Sequence, residues 1–138
     1  MNDELSQGET NLATLIKTMK PALHDGEYVF CSVGHGTAVD TTQIICLFKE
    51  KEGITVILEK TIADALHLPY SFVAAWITLT VHSSLEASGL TAAFSKALAD
   101  EAISCNVIAA YYHDHIFVDK KDAGKAMMVL NALSSSYK

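Results

Sequence analysis

The sequence is poor in cysteine and in basic residues and has no long apolar run, and each shortage narrows the class of protein. Its three cysteines, Cys31, Cys46 and Cys105, are odd in number and form no CxxC pair. We therefore expect neither a disulfide scaffold nor a structural zinc site. We expect the protein to lie in a reducing, cytoplasmic environment. The most apolar stretch, residues 70–81, is well short of the ~20 residues that span a bilayer, so no membrane contact is expected.

The charge is acidic, with ten Lys+Arg against sixteen Asp+Glu and a formal net charge of -6. Nucleic acid is not an expected partner, because its phosphates repel an acidic protein. The first residues are acidic where a secretory leader would be basic, so no export is expected. Residues 1–10 carry one large apolar side chain besides Met1, and we expect a flexible tail there.

The second half of the chain shows alternating strand and helix patterns. Apolar residues recur from Leu90 at the i, i+3, i+4 and i+7 spacing of an amphipathic helix. The predicted elements are strand 73–81, a helix from Leu90, strands 105–112 and 115–118, and a helix from 121. The order β-α-β-β-α begins a ferredoxin-like unit, in which an antiparallel sheet carries both helices on one face.

The first half predicts a similar unit with one helix missing. Its predicted elements are helix 11–20, strands 28–33, 44–48 and 54–58, and a short helix 61–66. No helix is predicted between the first two strands, and the helix at 11–20 is expected to fill that gap. At an offset of 60 residues, segment 56–60 resembles segment 116–120, which indicates an internal duplication.

These patterns predict an α+β fold made of two ferredoxin-like units in tandem. The expected division is a flexible tail at 1–10, a variant first unit at 11–70 that lacks the first helix, and a second unit at 71–138.

Two segments carry a resemblance to a known family. Residues 76–94, WITLTVHSSLEASGLTAAF, and residues 103–118, ISCNVIAAYYHDHIFV, resemble ACT domains. The chain is most similar to small bacterial ACT-domain proteins without assigned function, and more remotely to the regulatory ACT domains of aspartate kinase and of arginine sensors. The resemblance covers 11–135. It implies two ACT-like units that often pair through sheet edges or helices, as in a homodimer, and that bind an amino acid or a similar small ligand. It does not imply catalysis or a cofactor.

The loop that leads into the helix at Leu90 is the predicted binding site. Unpaired backbone N–H groups and the helix dipole at Gly89, Leu90 and Thr91 favour a carboxylate. The resemblance implies that the ligand lies between this loop and a neighbouring strand, with Asn106 and Asp114 as candidates to meet an α-amino group. The predicted ligand-binding residues are Ser83, Ser84, Leu85, Gly89, Leu90, Thr91, Asn106 and Asp114.

Two other functions remain open at this point. His113 and His115 lie two residues apart on a predicted strand, so both imidazoles face one side, and His82 could complete a metal site for a metal-dependent hydrolase. The same histidines could instead bond at a tight turn or line an interface. The second alternative is a protein–protein assembly module that pairs through its sheets and binds no ligand.

Overall fold

The computed structural model describes Gly8 and residues 10–82, 84–85 and 87–137. Short 3-10 turns occur at Thr41–Gln43 and Lys120–Asp122. The helices and strands are α1 Leu12–Thr18, β1 Pro21–Leu23, β2 Tyr28–Val33, β3 Ile44–Lys49, β4 Ile54–Glu59, α2 Lys60–Ala65, β5 Val73–Leu79, α3 Leu90–Asp100, β6 Asn106–Ala109, β7 Asp114–Asp119 and α4 Ala123–Ser136. None of the helices in these described ranges is long and apolar enough to cross a membrane.

The chain divides by contacts into two compact units. We call Asp25–Ala75 the continuous unit, and the chain up to His24 together with the chain from Trp76 the split unit. The boundary after Ala75 lies close to the expected one at residue 70, but the segment with α1 and β1, which was expected in the first unit, groups with the second half. The expectation that α1 fills the place of the missing helix is not met: α1 packs on α3 and α4, where Leu15 and Ile16 are fully buried.

The split unit has the ferredoxin-like strand arrangement. Its strands lie in the order β6-β7-β5, and β1 pairs with β5 in antiparallel register from Pro21 opposite Leu79. The sequence indicates Pro21 only as the end of a helix, whereas the structure shows that it also begins this strand. Proline is tolerated at the first residue of a strand, where its missing N–H breaks no ladder hydrogen bond.

The core of the split unit follows from the apolar stripe on α3. Leu90, Phe94 and Leu98 are buried at i, i+4 and i+8, and α3 packs against α4. Along β7, three consecutive residues, Ile116, Phe117 and Val118, are buried. These contacts hold the start of α3 close to the rest of the unit.

The continuous unit repeats the same strand arrangement in the order β3-β4-β2, and the first residues of β5, Val73 and Ala74, pair with β2. β2 and β4 are antiparallel along their whole length, and β3 pairs with β4 in the same sense. As predicted, no α-helix lies between β2 and β3, where all the residues are described and form only the turn at Thr41–Gln43. The core residues of this unit are Val29, Cys31, Ile54, Val56, Leu58 and Ala63.

β4 of the continuous unit and β7 of the split unit occupy equivalent places and match residue for residue. β4 begins at residue 54 and β7 at residue 114, each has six residues, and each leads directly into a helical turn. The offset of 60 noticed in the sequence is thus the offset between equivalent strands. The prediction of an α+β, ferredoxin-like fold is confirmed.

Candidate functional site

A cavity of about 200 Å³ lies in the split unit, beside the loop that leads from β5 into α3. The end of the β6–β7 hairpin forms another part of its wall. The residues that line it are Ser84, Leu85, Ala87, Gly89, Leu90, Thr91, Ala109 and Asp114. Six of the eight predicted ligand-binding residues are therefore brought together at one place.

The backbone at Gly89 shapes the floor of this cavity. Gly89 caps α3 with φ of 96°, a left-handed conformation that residues with a Cβ rarely adopt. A Cβ on Gly89 would lie 2.9 Å from Cδ2 of Leu12. The first hydrogen bond of α3 runs from Ala93 N–H to the Gly89 carbonyl at 2.9 Å, so the amides of Leu90 and Thr91 have no acceptor within the helix.

Asp114 brings a carboxylate into the same cavity. The residue is 8% exposed, and burial raises the pKa of its carboxyl, while the charge of His113 opposes that rise. A buried carboxylate is costly to keep ionised unless a positive charge compensates it, which makes Asp114 a candidate for contact with a cationic group of a ligand.

Two of the predicted residues do not share this arrangement. The side-chain Nδ2 of Asn106 donates to the carbonyl of Phe117 at 3.1 Å, within the β6–β7 hairpin, and Asn106 is not among the residues that line the cavity. Ser83 lies outside the described residues. Ala87 and Ala109 line the cavity without having been predicted. Ala109 could have been found as the cross-strand partner of Asp114 in the hairpin.

The histidines proposed as metal ligands have other neighbours. His113 Nδ1 lies 3.0 Å from the carbonyl of Val81, and the rings of His113 and His115 meet edge to face at 6.4 Å. The ring of His82 lies against Tyr111 and Tyr112 instead. Among the residues with described positions, no group of three or more His, Cys, Asp or Glu could hold a metal ion.

His115 belongs to a polar network that the sequence did not reveal. Trp76 Nε1 donates to His115 Nδ1 at 3.1 Å, so this nitrogen is an unprotonated acceptor. Thr78 Oγ1 lies 3.0 Å from the same nitrogen and 2.7 Å from His24 Nε2. Burial, followed by the charges of His113 and His24, lowers the pKa of His115. The network therefore favours a neutral His115.

His24, which also belongs to this network, was not among the predicted site residues. Its ring stacks on Trp76 with a centroid distance of 3.5 Å and an interplanar angle of 7°. His24 follows β1 in the chain, and its backbone N–H donates to the backbone carbonyl of Trp76 at 2.9 Å. Its place beside Trp76 depends on the pairing of β1 with β5, which no local pattern near residue 24 indicates.

The strand order and the helices define a pair of ferredoxin-like domains, and comparison with known families gives these domains a name. Two models of the ACT domain match the chain, one over residues 7–75 and the other over residues 71–132. The protein belongs to the ACT domain family.

Solved structures agree with this assignment. A Vibrio cholerae protein of unknown function, described as a possible transport protein, is 46% identical, with a TM-score of 0.80 over 89% of this chain and 95% of its own. An Agrobacterium tumefaciens protein is 14% identical, with a TM-score of 0.63 over 84% and 89% of the two chains. The ligand-free regulatory subunit of aspartate kinase from Thermus thermophilus is 8% identical, with a TM-score of 0.62 over 86% and 97%. The last two similarities concern the fold alone. No curated protein sequence matches the chain.

Proposed function

We propose that this protein is a non-catalytic, ligand-sensing regulatory protein that binds a small free amino acid in the cavity of the split unit. The observation that carries the proposal is the buried carboxylate of Asp114 in the wall of a cavity that also includes the start of α3. One group attracts a cation and the other an anion. A zwitterion supplies both charges in one molecule.

The two charges of an amino acid have separate partners in this cavity. An ammonium group can donate to the Asp114 carboxylate, a charge-assisted bond that would compensate for the burial of that group. A carboxylate can accept from the amides at the beginning of α3, where the helix dipole adds about half a positive charge. Thr91 adds a hydroxyl to the lining.

The size of the cavity limits the ligand. An apolar cavity of about 150 Å³ holds benzene, so about 200 Å³ corresponds to roughly eight non-hydrogen atoms. Small amino acids such as serine, threonine or valine are of this size. Membership of the ACT family and the likeness to aspartate kinase regulatory domains support a regulatory role.

A thermal-shift screen of the twenty amino acids tests the proposal. A ligand at a hundred times its Kd stabilises the folded protein by about 2.7 kcal/mol, which a melting curve detects. We expect at least one small amino acid to raise Tm, and Asp114→Ala to reduce that shift. Asp100→Asn is the matched control, because Asp100 is exposed at the end of α3. The absence of a shift for all twenty would contradict the proposal.

We also propose that the protein forms a homodimer through β3 of the continuous unit. β3 stands at one end of the strand order and exposes apolar side chains, with Phe48 66% exposed and Ile45 39% exposed. An exposed apolar strand favours pairing with a second copy. Sedimentation velocity should show a dimer that Phe48→Lys weakens and that Met128→Lys, at an exposed position of α4, leaves unchanged. A wild-type monomer at micromolar concentration would contradict this assembly.

A further inference from the structure

A second cavity, of about 240 Å³, lies wholly within the continuous unit. Its walls are mostly aliphatic. They include Val33, Ile44, Val56, Leu58 and Leu68, which come from the sheet and from the segment after α2. The loop before β3 supplies Ala38 and Asp40 at its rim.

The cavity has a structural origin in the missing helix. In the split unit, the link between β5 and β6 contains α3, which buries Phe94 and Leu98. In the continuous unit, the corresponding link, residues 34–43, has a single 3-10 turn that buries no residue. Its side chains therefore fill less space over the strands, and the apolar lining is left with an open volume.

The volume and lining of this cavity suit a compact apolar group. An engineered cavity of about 150 Å³ lined by Leu, Ile and Phe side chains stays dry and binds benzene. A cavity of about 240 Å³ accommodates a monocyclic aromatic or branched aliphatic group, of roughly ten non-hydrogen atoms on the same scale.

Asp40 gives the rim a negative charge. Its Oδ1 accepts from the backbone N–H of Thr42 at 3.0 Å and from the Thr42 hydroxyl at 2.6 Å. Both bonds end on the same oxygen, so Oδ2 can accept a further donor. These bonds hold the pKa of Asp40 below its usual range, and the carboxylate is an anion at neutral pH.

We propose that the cavity of the continuous unit binds a small apolar amine, whose hydrocarbon group lies among Val33, Val56 and Leu68 and whose ammonium group meets Asp40. A carboxylate on the same molecule would be repelled by Asp40. The site is therefore selective against free amino acids, and it is independent of the amino acid site in the split unit.

Methyl NMR of the whole protein, with benzylamine, toluene and benzoate as probes, tests the proposal. Benzylamine should shift the methyl signals of Val33, Val56 and Leu68, with a Kd on the order of 1 mM. Toluene should shift the same signals with weaker affinity, and benzoate should not shift them. No shift with benzylamine up to 20 mM, or equal affinities for benzylamine and benzoate, would overturn the proposal. Equal affinities for benzylamine and toluene would overturn the assignment of an amine.

Variants locate the probe within the cavity. Ala38→Phe places an aromatic ring at the rim and should abolish the benzylamine shifts, whereas Ala132→Phe, at an exposed position of α4, should leave them unchanged. Asp40→Asn should weaken benzylamine by about two- to fivefold, the range of an exposed ion pair, and leave toluene unaffected. Undiminished binding by a folded Ala38→Phe variant, judged by its melting curve, would place the probe elsewhere and overturn the proposal.

Discussion

The two units carry different residues at equivalent positions, the first residue of β4 and the first residue of β7. The continuous unit has Ile54 there and the split unit has Asp114, and both are 8% exposed. Isoleucine is the ordinary choice for such a position, because burying it stabilises the fold. Aspartate at the same position weakens the core unless a partner compensates its charge. The comparison indicates that the split unit gives up some stability to keep a charged group in its cavity.

The units also differ in a second feature, the link between β5 and β6 in the split unit and the corresponding link between β2 and β3 in the continuous unit. In the split unit this link contains an eleven-residue helix, α3, which supplies core side chains and, at its start, amides that have no acceptor within the helix. In the continuous unit the link is a loop over an apolar cavity. The same strand order therefore supports a polar cavity beside a helix start in one unit and an apolar cavity in the other.

The largest expected effect tests the role of α3 in the core. Phe94 is fully buried, so Phe94→Ala should lower the free energy of unfolding by about 3–5 kcal/mol. Val39, in the corresponding link of the continuous unit, is only partly buried, and Val39→Ala should cost less than about 1.5 kcal/mol. Urea unfolding of both variants measures the difference. Similar losses would show that the two links contribute equally.

The next effect concerns the backbone at the beginning of α3. Gly89→Ala should cost about 1–2 kcal/mol, because alanine is strained at φ of 96° and its Cβ would press on Leu12. Gly124 is the matched control, since a Cβ there meets nothing within 4 Å. Gly124→Ala, within α4, should instead gain about 0.5–1 kcal/mol. A gain for both substitutions in urea unfolding would disprove the strain at Gly89.

The charge of Asp114 should produce a smaller effect of opposite sign. Its pKa is raised in the folded protein, so folding takes up a proton and the stability of the wild type falls as pH rises through that pKa. Asp114→Asn should therefore stabilise the ligand-free protein by about 1 kcal/mol at pH 7. The gain should shrink as pH falls through the raised pKa, and it should be gone at about pH 4, the ordinary value for an aspartate. Asp100→Asn should stay within about 0.5 kcal/mol of wild type. A loss of stability for Asp114→Asn at neutral pH would mean that the carboxylate is already compensated.

The smallest effect concerns His115, whose equivalent in the continuous unit is Thr55 at the offset of 60. Because the folded state lowers the pKa of His115, stability is lost as pH falls through the ordinary histidine value of about 6.5. His115→Thr should reduce this loss when unfolding is compared at about pH 8 and about pH 5. An unchanged pH dependence would place the titrating group elsewhere.

Much of the local structure could be predicted from the sequence. β2 is observed at the residues predicted, Tyr28–Val33, and α3 begins at Leu90 as its apolar stripe indicates. These elements depend on periodicity within a few residues, which a sequence displays directly. The gathering of most of the predicted loop residues around one cavity follows from the same local geometry.

The elements that were not predicted depend on contacts distant in sequence. α1 looks the same in sequence whether it packs in one unit or the other, and only the burial of Leu15 and Ile16 against α3 and α4 decides between them. β1 has three residues and pairs with β5 more than 50 positions away, as Pro21 opposite Leu79 shows. The place of His24 follows from that pairing. The side-chain bond of Asn106 to Phe117 likewise depends on the folded hairpin.

The pKa of Asp114, followed through its side-chain carboxyl carbon by NMR, directly tests whether this carboxylate binds the ammonium group of an amino acid. It should be measured without ligand and with a saturating amount of the amino acid that gives the largest thermal shift. We expect a raised pKa in the free protein and a lower one in the complex, because the ammonium group stabilises the carboxylate. An ordinary pKa in the free protein, or the same raised pKa with and without the amino acid, would contradict it.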